Sequence, residues 1–182
     1  MKSILYALAL SGALAAGAHA AVDGAGASGF SVSEAAHIAA APDKVYAALI
    51  VPSRWWSSAH TFSHDAANLS LDARAGGCWC ETLAGGGSVQ HMTVVYIAPG
   101  HALRLRGALG PLQAMGADGA LSFALKPGHD GTDVTLTYAV GGYSKEGFSE
   151  LAGIVDGVLG EQLQRLKRAV ETGSPEPAGP AP

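Results

Sequence analysis

The sequence has 182 residues and a formal net charge of −4, and 48% of its residues are hydrophobic. This length fits one domain with a sizeable core. The acidic balance argues against a nucleic-acid partner, because phosphate backbones are bound by clusters of Lys and Arg. The two cysteines, Cys78 and Cys80, are too close in sequence to join distant parts of a fold. Burial of apolar surface must therefore provide most of the stability.

The first 20 residues have the order of a secretory signal peptide. Lys2 precedes an apolar stretch over residues 4–16, and small residues lead to a predicted cleavage site after Ala20. The stretch is shorter than the roughly 20 residues that span a bilayer. An uncleaved anchor or a buried helix is the alternative interpretation. We expect a periplasmic or secreted protein without stable membrane insertion after cleavage.

The regions that flank the predicted folded domain are rich in small residues or proline. Residues 21–28 are predicted to form a flexible leader. Residues 172–182 contain four prolines and are predicted to be a disordered tail. The folded domain should therefore occupy residues 29–171.

Within that domain, the spacing of apolar residues predicts a strand, then short helices, then a series of strands and finally a long helix. A first strand is predicted over residues 29–39, and Pro42 and Pro52 suit the first turns of two short helices. From Asn68 onward, apolar residues alternate with polar ones in about six segments separated by glycine-rich turns. The last element, at about 145–170, has apolar residues at helical spacing. These residues are Leu151, Val155, Leu159, Leu163, Leu166 and Val170.

Runs of strands followed by a helix are typical of α+β folds in which the helix covers one face of the sheet. We therefore predict a curved antiparallel sheet of six to seven strands that wraps around the long C-terminal helix. Two short helices should follow the first strand.

Several stretches resemble the SRPBCC superfamily (START-like, polyketide cyclase–dehydrase), in particular an exported bacterial branch with no settled activity. They are APDKVYAAL with PSRWW, HTFSHDAANLSLD, GGCWCETLAGGGSVQHM, PGHALRLRGALGPLQ, GTDVTLTY and VDGVLGEQLQRLK. The pattern of that branch has Gly where this chain has His64. The resemblance implies a helix-grip fold over 29–171, with a cavity between the sheet and the last helix. It implies no catalytic motif, so chemistry must be argued from individual residues.

Cys78 and Cys80 are two residues apart in a predicted strand, so their side chains should share one face. If the following turn is centred on Gly85 and Gly86, Cys80 lies opposite His91. The three side chains could line the cavity wall. The cysteines could instead form a disulfide, which needs a bulge, or the set could be a weak Zn²⁺ or Cu site. We favour the cavity wall and assign no metal or other cofactor.

Glu81 is flanked by apolar strand residues and is a candidate general acid or base, as are His60, His91 and Tyr143. His60 and His64 are spaced like residues on one side of a helical turn, but their segment is predicted to be a loop, and His60 is the one we expect to face the cavity. Strand alternation puts Glu81 on the face opposite His91. The two residues cannot both line the cavity unless a bulge intervenes.

The predicted cavity lies between the strand face that carries Phe123, Leu136 and Tyr138 and the final helix. Glycines at 153, 157 and 160 form a stripe on that helix, which serves either close packing or a ligand. We expect Gly153 and Gly157 to line the cavity, so that Gly157→Leu would fill it. Residues 107–113 form an irregular connection, either a wide turn or a lid at the cavity mouth.

Three functions remain open at this point. The first is binding of an apolar small molecule or lipid, which needs only an apolar cavity with a few polar groups. The second is a cyclase- or dehydratase-type enzyme with an acid–base pair in the same cavity. The third is a periplasmic metal-binding protein that uses Cys78, Cys80 and His91. We favour binding.

Overall fold

A computed structural model describes residues 20–179, so the predicted signal peptide lies outside this range except for Ala20. Eight strands in the described range form one antiparallel sheet with the spatial order β1-β2-β8-β7-β6-β5-β4-β3. The strands are β1 Ala20–Ala25, β2 Gly29–Ile38, β3 Leu69–Leu71, β4 Cys78–Thr82, β5 Ser88–Ala98, β6 Ala102–Gly107, β7 Gly116–Gly128 and β8 Gly131–Tyr143.

Two α-helices within residues 20–179 accompany the sheet, α1 at Pro42–Leu49 and α2 at Ser149–Thr172. Helix α2 packs across β2 and β1 and also contacts α1. Short 3₁₀ helices occupy Pro52–Arg54, Ser58–His60, Ala66–Asn68, Ala84–Gly86 and Gly110–Ala114. Over residues 20–179, neither helix combines the length and apolar character needed to cross a bilayer. The predicted α+β helix-grip fold is confirmed, with eight strands instead of six or seven.

The predicted flexible leader is wrong for its first residues, which form β1. This strand pairs with β2 from Ala20 opposite Glu34 to Ala25 opposite Phe30. Its side chains are small, so the sequence lacks the apolar alternation of a strand. The pairing instead satisfies backbone groups along the edge of β2, which would otherwise be an open sheet edge.

The predicted disordered tail is also wrong for the residues that directly follow α2. Gly173 ends the helix in a left-handed conformation with φ of 82°. The chain then turns back, so that Arg165 Nη2 donates to Glu176 Oε1 at 2.7 Å and Arg168 Nε donates to Pro175 O at 2.7 Å. Prolines prevent helix in this segment, but they do not prevent hydrogen bonds to the preceding helix.

The apolar side of α2 has two parts with different surroundings. Leu159, Leu163 and Leu166 are at most 1% exposed and pack in the core. Val155 and Leu151, about one and two turns before Leu159, are only partly buried. The second half of the helix therefore closes the core, whereas the first half leaves room beside the sheet.

Buried polar side chains on α2 fasten the segment that follows α1. Arg165 Nε donates to Trp55 O at 2.9 Å, and Gln162 Oε1 accepts from Ser57 N at 2.8 Å. Gln162 is fully buried and Arg165 is 9% exposed. Because buried backbone groups need partners, these bonds fix the path of residues 55–57 against α2.

The carboxyl groups of Glu34 on β2 and Asp156 on α2 lie close together, and that of Glu34 is buried. Glu34 is 1% exposed, and burial together with the charge and hydrogen bond of Asp156 raises its pKa to about 7. Gly160 makes room for the Glu34 carboxyl group, since a Cβ at this position would lie 2.9 Å from Oε1. Of the three glycines in the predicted stripe, Gly160 alone has a packing role of this kind.

The predicted cavity contact of Gly153 and Gly157 is wrong. Both residues are exposed, and a Cβ at either position would have no atom within 4 Å. The stripe that they form points away from the sheet. Gly157→Leu would therefore not fill a cavity.

We predict that Gly157→Ala and Gly160→Ala have different effects on stability. Alanine at the open position 157 should raise the free energy of unfolding by about 0.5–1 kcal/mol through helix propensity. At position 160 the new methyl group meets Glu34, so this gain should be lost or reversed. Urea unfolding of both variants measures the difference, and equal effects would contradict the described packing of α2.

The Glu34 carboxyl group should make stability depend on pH. Its pKa rises from 4.5 to about 7 in the folded protein, so the folded state holds a proton that the unfolded chain has released. The free energy of unfolding should fall as pH rises between these two values, by at most about 1.4 kcal/mol per pH unit. Glu34→Gln should flatten this slope and stabilise the protein at pH 8. An unchanged slope in urea unfolding of the variant would show that Glu34 is not the titrating group.

Candidate functional site

Strands β4 and β5 pair in two registers that meet at a bulge. Trp79 lies opposite Met92, but the next residue, Cys80, lies opposite Gln90, so His91 has no partner in the ladder. His91 and Met92 are both buried, although neighbours in a regular strand face opposite sides. The bulge thus turns His91 toward the sheet face that carries Trp79.

The predicted register is correct only on one side of this bulge. Nearer the hairpin turn Cys80 lies opposite Gln90 instead of the predicted His91, and Thr82 lies opposite Ser88. Gly85 and Gly86 both have positive φ, 73° and 84°, in a loop that Leu83 N closes by donating to Gly87 O at 2.8 Å. A side chain at either glycine would be strained in this turn. The turn therefore has an odd number of residues, which shifts the register by one.

The bulge brings Glu81 and His91 to the same face, the one arrangement that strand alternation alone excludes. Glu81 is 1% exposed, and its Oε2 accepts from His91 Nε2 at 2.9 Å. The same carboxylate also accepts from the backbone N–H groups of Phe62, at 3.1 Å, and Ser63. Burial would raise the pKa of Glu81, but the bonds from Ser63, Phe62 and His91 outweigh it and lower the pKa.

His91 is neutral at neutral pH, with its tautomer fixed by Glu81. Burial lowers the pKa of His91, and the hydrogen bond and charge of Glu81 only partly offset this effect. Because the ionised carboxylate can only accept, Nε2 carries the proton and Nδ1 keeps its lone pair. A neutral imidazole in this form can accept a hydrogen bond or a proton from a bound molecule.

His91 lies in the wall of a cavity of about 410 Å³ between the sheet and the first half of α2. Most of the residues that line it are apolar or aromatic. They are Trp56, Ala59, His60, Thr61, Phe62, Leu69, Trp79, His91, Leu109, Gly110, Pro111, Leu112, Leu151, Ile154, Val155, Val158 and Leu159. The volume and the apolar lining with few polar groups are those of a small-molecule site.

The cavity has an aromatic end around His91. The rings of Trp56 and Trp79 meet edge-on with centroids 4.9 Å apart. The Phe62 and Trp79 rings each lie 5.9 Å from the His91 ring. A polar group of a ligand that reaches His91 would therefore be surrounded by aromatic walls, with aliphatic residues of α2 further along.

The mouth of the cavity carries large apolar side chains that face solvent. Phe62 is 49% exposed and Ile154 is 63% exposed, and both line the cavity. Beside them His60 Nε2 contacts Glu161 Oε2 at 3.1 Å and links the loop to α2. Exposed apolar side chains at a cavity mouth indicate a surface that apolar molecules contact.

The connection at 107–113 forms one wall of the cavity. Leu109 N donates to the Tyr138 hydroxyl at 3.3 Å, and that hydroxyl donates to Gly107 O at 3.2 Å. Burial raises the pKa of Tyr138 to about 12, so the hydroxyl stays protonated and can make both bonds. The segment is anchored to the sheet through Tyr138.

Several residues predicted to line the cavity lie elsewhere. Phe123, Leu136 and Tyr138 do face inward, but they are at most 2% exposed and fill the core beneath the cavity. Cys78 and Cys80 form a disulfide and lie on the opposite sheet face from Trp79 and Glu81. Side chains alternate between the two faces of each strand, so Phe123, Leu136 and Tyr138 point to the inner face of the sheet and the two cysteines to its outer face.

Of Tyr143, His60 and His64, only His60 lies in the cavity wall. Tyr143 is 75% exposed and is not part of the cavity wall. His60 lines the cavity, whereas His64 does not; His64 has φ of 59°, the left-handed region that favours glycine. The disulfide and His91 are on different faces, and no three side chains of His, Cys, Asp or Glu in residues 20–179 are grouped as metal ligands.

The cavity wall also contains four residues that were not predicted from the sequence, Trp56, Phe62, Trp79 and Ile154. The sequence did contain a signal for the aromatic residues. Trp56 lies in the run PSRWW, Phe62 is two residues from His60, and Trp79 is two residues from Glu81. Aromatic residues near a few polar ones are typical of ligand sites. Ile154 gave no signal, since it lies off the apolar stripe of α2.

Comparisons with known proteins agree with this fold. Residues 29–171 match the family described as polyketide cyclase/dehydrase and lipid transport. No curated protein matches the chain. Among solved structures, CalU16 from Micromonospora echinospora is 20% identical with a TM-score of 0.57, over 88% of this chain and 87% of that one.

Two further structures have the same fold. The Aha1 dimer from Colwellia psychrerythraea is 21% identical with a TM-score of 0.57, over 79% of this chain and 97% of that one. A conserved protein of unknown function from Enterococcus faecalis, EF2215, is 16% identical with a TM-score of 0.57, over 89% and 82%. These identities show the fold alone. The match over residues 29–171 shows that this chain belongs to the polyketide cyclase/dehydrase and lipid transport family of the SRPBCC superfamily.

Proposed function

We propose that this protein binds an apolar small molecule or lipid in the cavity between its sheet and the first half of α2. The observation that carries the proposal is the cavity itself, about 410 Å³ in volume and lined mainly by apolar and aromatic side chains. Burying such a ligand would remove apolar surface from water on both partners, which contributes about 25 cal/mol per Å². The exposed side chains of Phe62 and Ile154 at the mouth support an apolar ligand.

His91 gives the site one directional contact. Its Nδ1 lone pair accepts a hydrogen bond, so the ligand would carry a hydroxyl or another donor at the end that reaches the aromatic part of the cavity. A donor in this position would pair with the free lone pair of Nδ1, which adds specificity more than affinity.

A second candidate function is acid–base catalysis of the cyclase or dehydratase kind in the same cavity. The observation in its favour is the pair formed by His91 and Glu81, in which the carboxylate fixes the tautomer of a neutral imidazole. Such an imidazole can remove a proton from a carbon next to a carbonyl group, or from a hydroxyl. Turnover of a β-hydroxy ketone by the wild type, lost in His91→Gln, would favour this candidate over binding alone.

Cavity filling tests the binding proposal. Val158 lines the cavity from α2, and Val158→Phe should weaken binding of the apolar dye 8-anilinonaphthalene-1-sulfonate at least about tenfold by occupying the space of the ligand. Val95→Phe is the matched control, because Val95 is 47% exposed and is not part of the cavity wall. Dye fluorescence titration, with thermal melting to verify folding, measures both. Equal dye affinity in the two folded variants would contradict the proposed site.

We also propose that the protein is exported, as the composition of residues 1–20 supports. N-terminal sequencing of the native protein from a periplasmic fraction should find Ala21 as the first residue. Cleavage there keeps residues 21–25 of β1, so the edge of β2 stays covered in the mature chain. Met1 at the start of a full-length cytoplasmic protein would contradict export.

A further inference from the structure

The outer face of β4 carries a disulfide between two residues of the same strand. Cys78 and Cys80 are joined, and their Cα atoms are 5.4 Å apart. Two residues at this spacing in an extended strand are about 6.6 Å apart, so the strand is shortened between them. Both side chains are half-buried and lie on the face opposite the cavity, where a thiol in solution can reach them without passing a ligand.

The shortened part of β4 coincides with the bulge of β5. The register changes between Trp79 and Cys80, and His91 is the residue that the bulge leaves out of the ladder. Trp79 lies between the two cysteines, and Glu81 directly follows the second. The disulfide therefore restrains the stretch of strand that presents Trp79 and Glu81 to the cavity.

Glu81 connects this stretch to the loop at the cavity mouth. Its carboxylate accepts from Phe62 N at 3.1 Å and from His91 Nε2 at 2.9 Å. A change in the spacing from Cys78 to Cys80 moves the Glu81 backbone relative to both donors. Hydrogen bonds weaken steeply with distance and angle, so even a small shift alters the positions of Phe62 and His91.

We propose that Cys78–Cys80 is a site of reversible thiol–disulfide exchange with a dithiol, and that its reduction weakens ligand binding in the cavity. The part that concerns ligand binding rests on the proposed function. A thiolate of the dithiol attacks one protein sulfur, the S–S bond breaks, and the other cysteine leaves as a thiolate and takes up a proton. The second thiol of the reagent then displaces the first protein sulfur. The protein gains two thiols and the dithiol becomes a disulfide, so electrons and protons balance.

Incubation of the folded protein with dithiothreitol, followed by iodoacetamide, tests the exchange by intact mass. We expect both cysteines to become alkylated while the protein stays folded. The disulfide should re-form when the dithiothreitol is replaced by oxidised glutathione before alkylation, because the disulfide of glutathione takes up the two electrons. Binding of 8-anilinonaphthalene-1-sulfonate should be about tenfold weaker in the reduced protein, the change that corresponds to one net hydrogen bond. No alkylation of the folded protein, or alkylation with unchanged dye affinity, would overturn the proposal.

The double variant Cys78→Ser/Cys80→Ser is the control for effects of the reductant itself. It should bind the dye with the lower affinity of the reduced wild type and should not respond to dithiothreitol. If the oxidised wild type does not bind the dye at all, the proposed function fails. In that case the exchange is still judged by alkylation and by the NMR signals of the His91 ring, which should shift on reduction; unchanged signals would overturn it.

Discussion

The Glu81 carboxylate is buried beneath the mouth of the cavity, where an ionised group requires several hydrogen-bond donors. It receives them from the backbone of Phe62 and Ser63 and from the His91 ring. Because the carboxylate itself is buried and charged, leaving it without these donors would cost more than the roughly 1–3 kcal/mol of an unpaired neutral group. The loop, the bulge and the imidazole are therefore held together by one side chain. The shape of the cavity mouth and the tautomer of His91 both follow from it.

The cavity exists because α2 packs closely on the sheet along only part of its length. From Leu159 onward its leucines are buried in the core. Before that point the helix is separated from the sheet by space lined with Leu151, Val155 and Val158. Residues 55–57 close one side of this space, fastened by Gln162 and Arg165.

The opposite side of the cavity is closed by the connection that Tyr138 anchors. Its hydroxyl bonds to Gly107 and Leu109 at the base of that segment. The walls are thus held in place by hydrogen bonds of Gln162, Arg165 and Tyr138, whereas the surface that a ligand would contact is mostly apolar. This division suits a site that binds by burial and orients its ligand by a few polar groups, His91 among them.

Periodicity in the sequence was sufficient to predict most of the fold. The alternation at Leu121, Phe123 and Leu125 and the helical spacing from Leu151 to Val170 correspond to the observed β7 and α2. These signals come from side-chain burial, which repeats with the geometry of each element. Strand β1 gave no such signal because its stability comes from backbone pairing with β2.

The site was less predictable because it depends on departures from regular geometry. His91 faces the cavity only because of a bulge, which adds one residue to β5 and has no sequence signature of its own. The spacing of Gly153 and Gly157 led to the prediction of a cavity beside them, but that side of α2 faces solvent. Spacing shows that two residues share a side of a helix, but it does not show what that side contacts. The aromatic residues near the cavity were visible in the sequence, but their convergence on His91 requires the tertiary structure.

NMR of the His91 ring tests the central role of Glu81 most directly. In ¹⁵N-labelled protein we expect a protonated Nε2 and an unprotonated Nδ1 at neutral pH, with a pKa below the ordinary value of 6.5. Glu81→Gln should lower the pKa of His91 further, because the carboxylate no longer stabilises the imidazolium form. A His91 ring that carries its proton on Nδ1, or that is charged at neutral pH, would contradict the account.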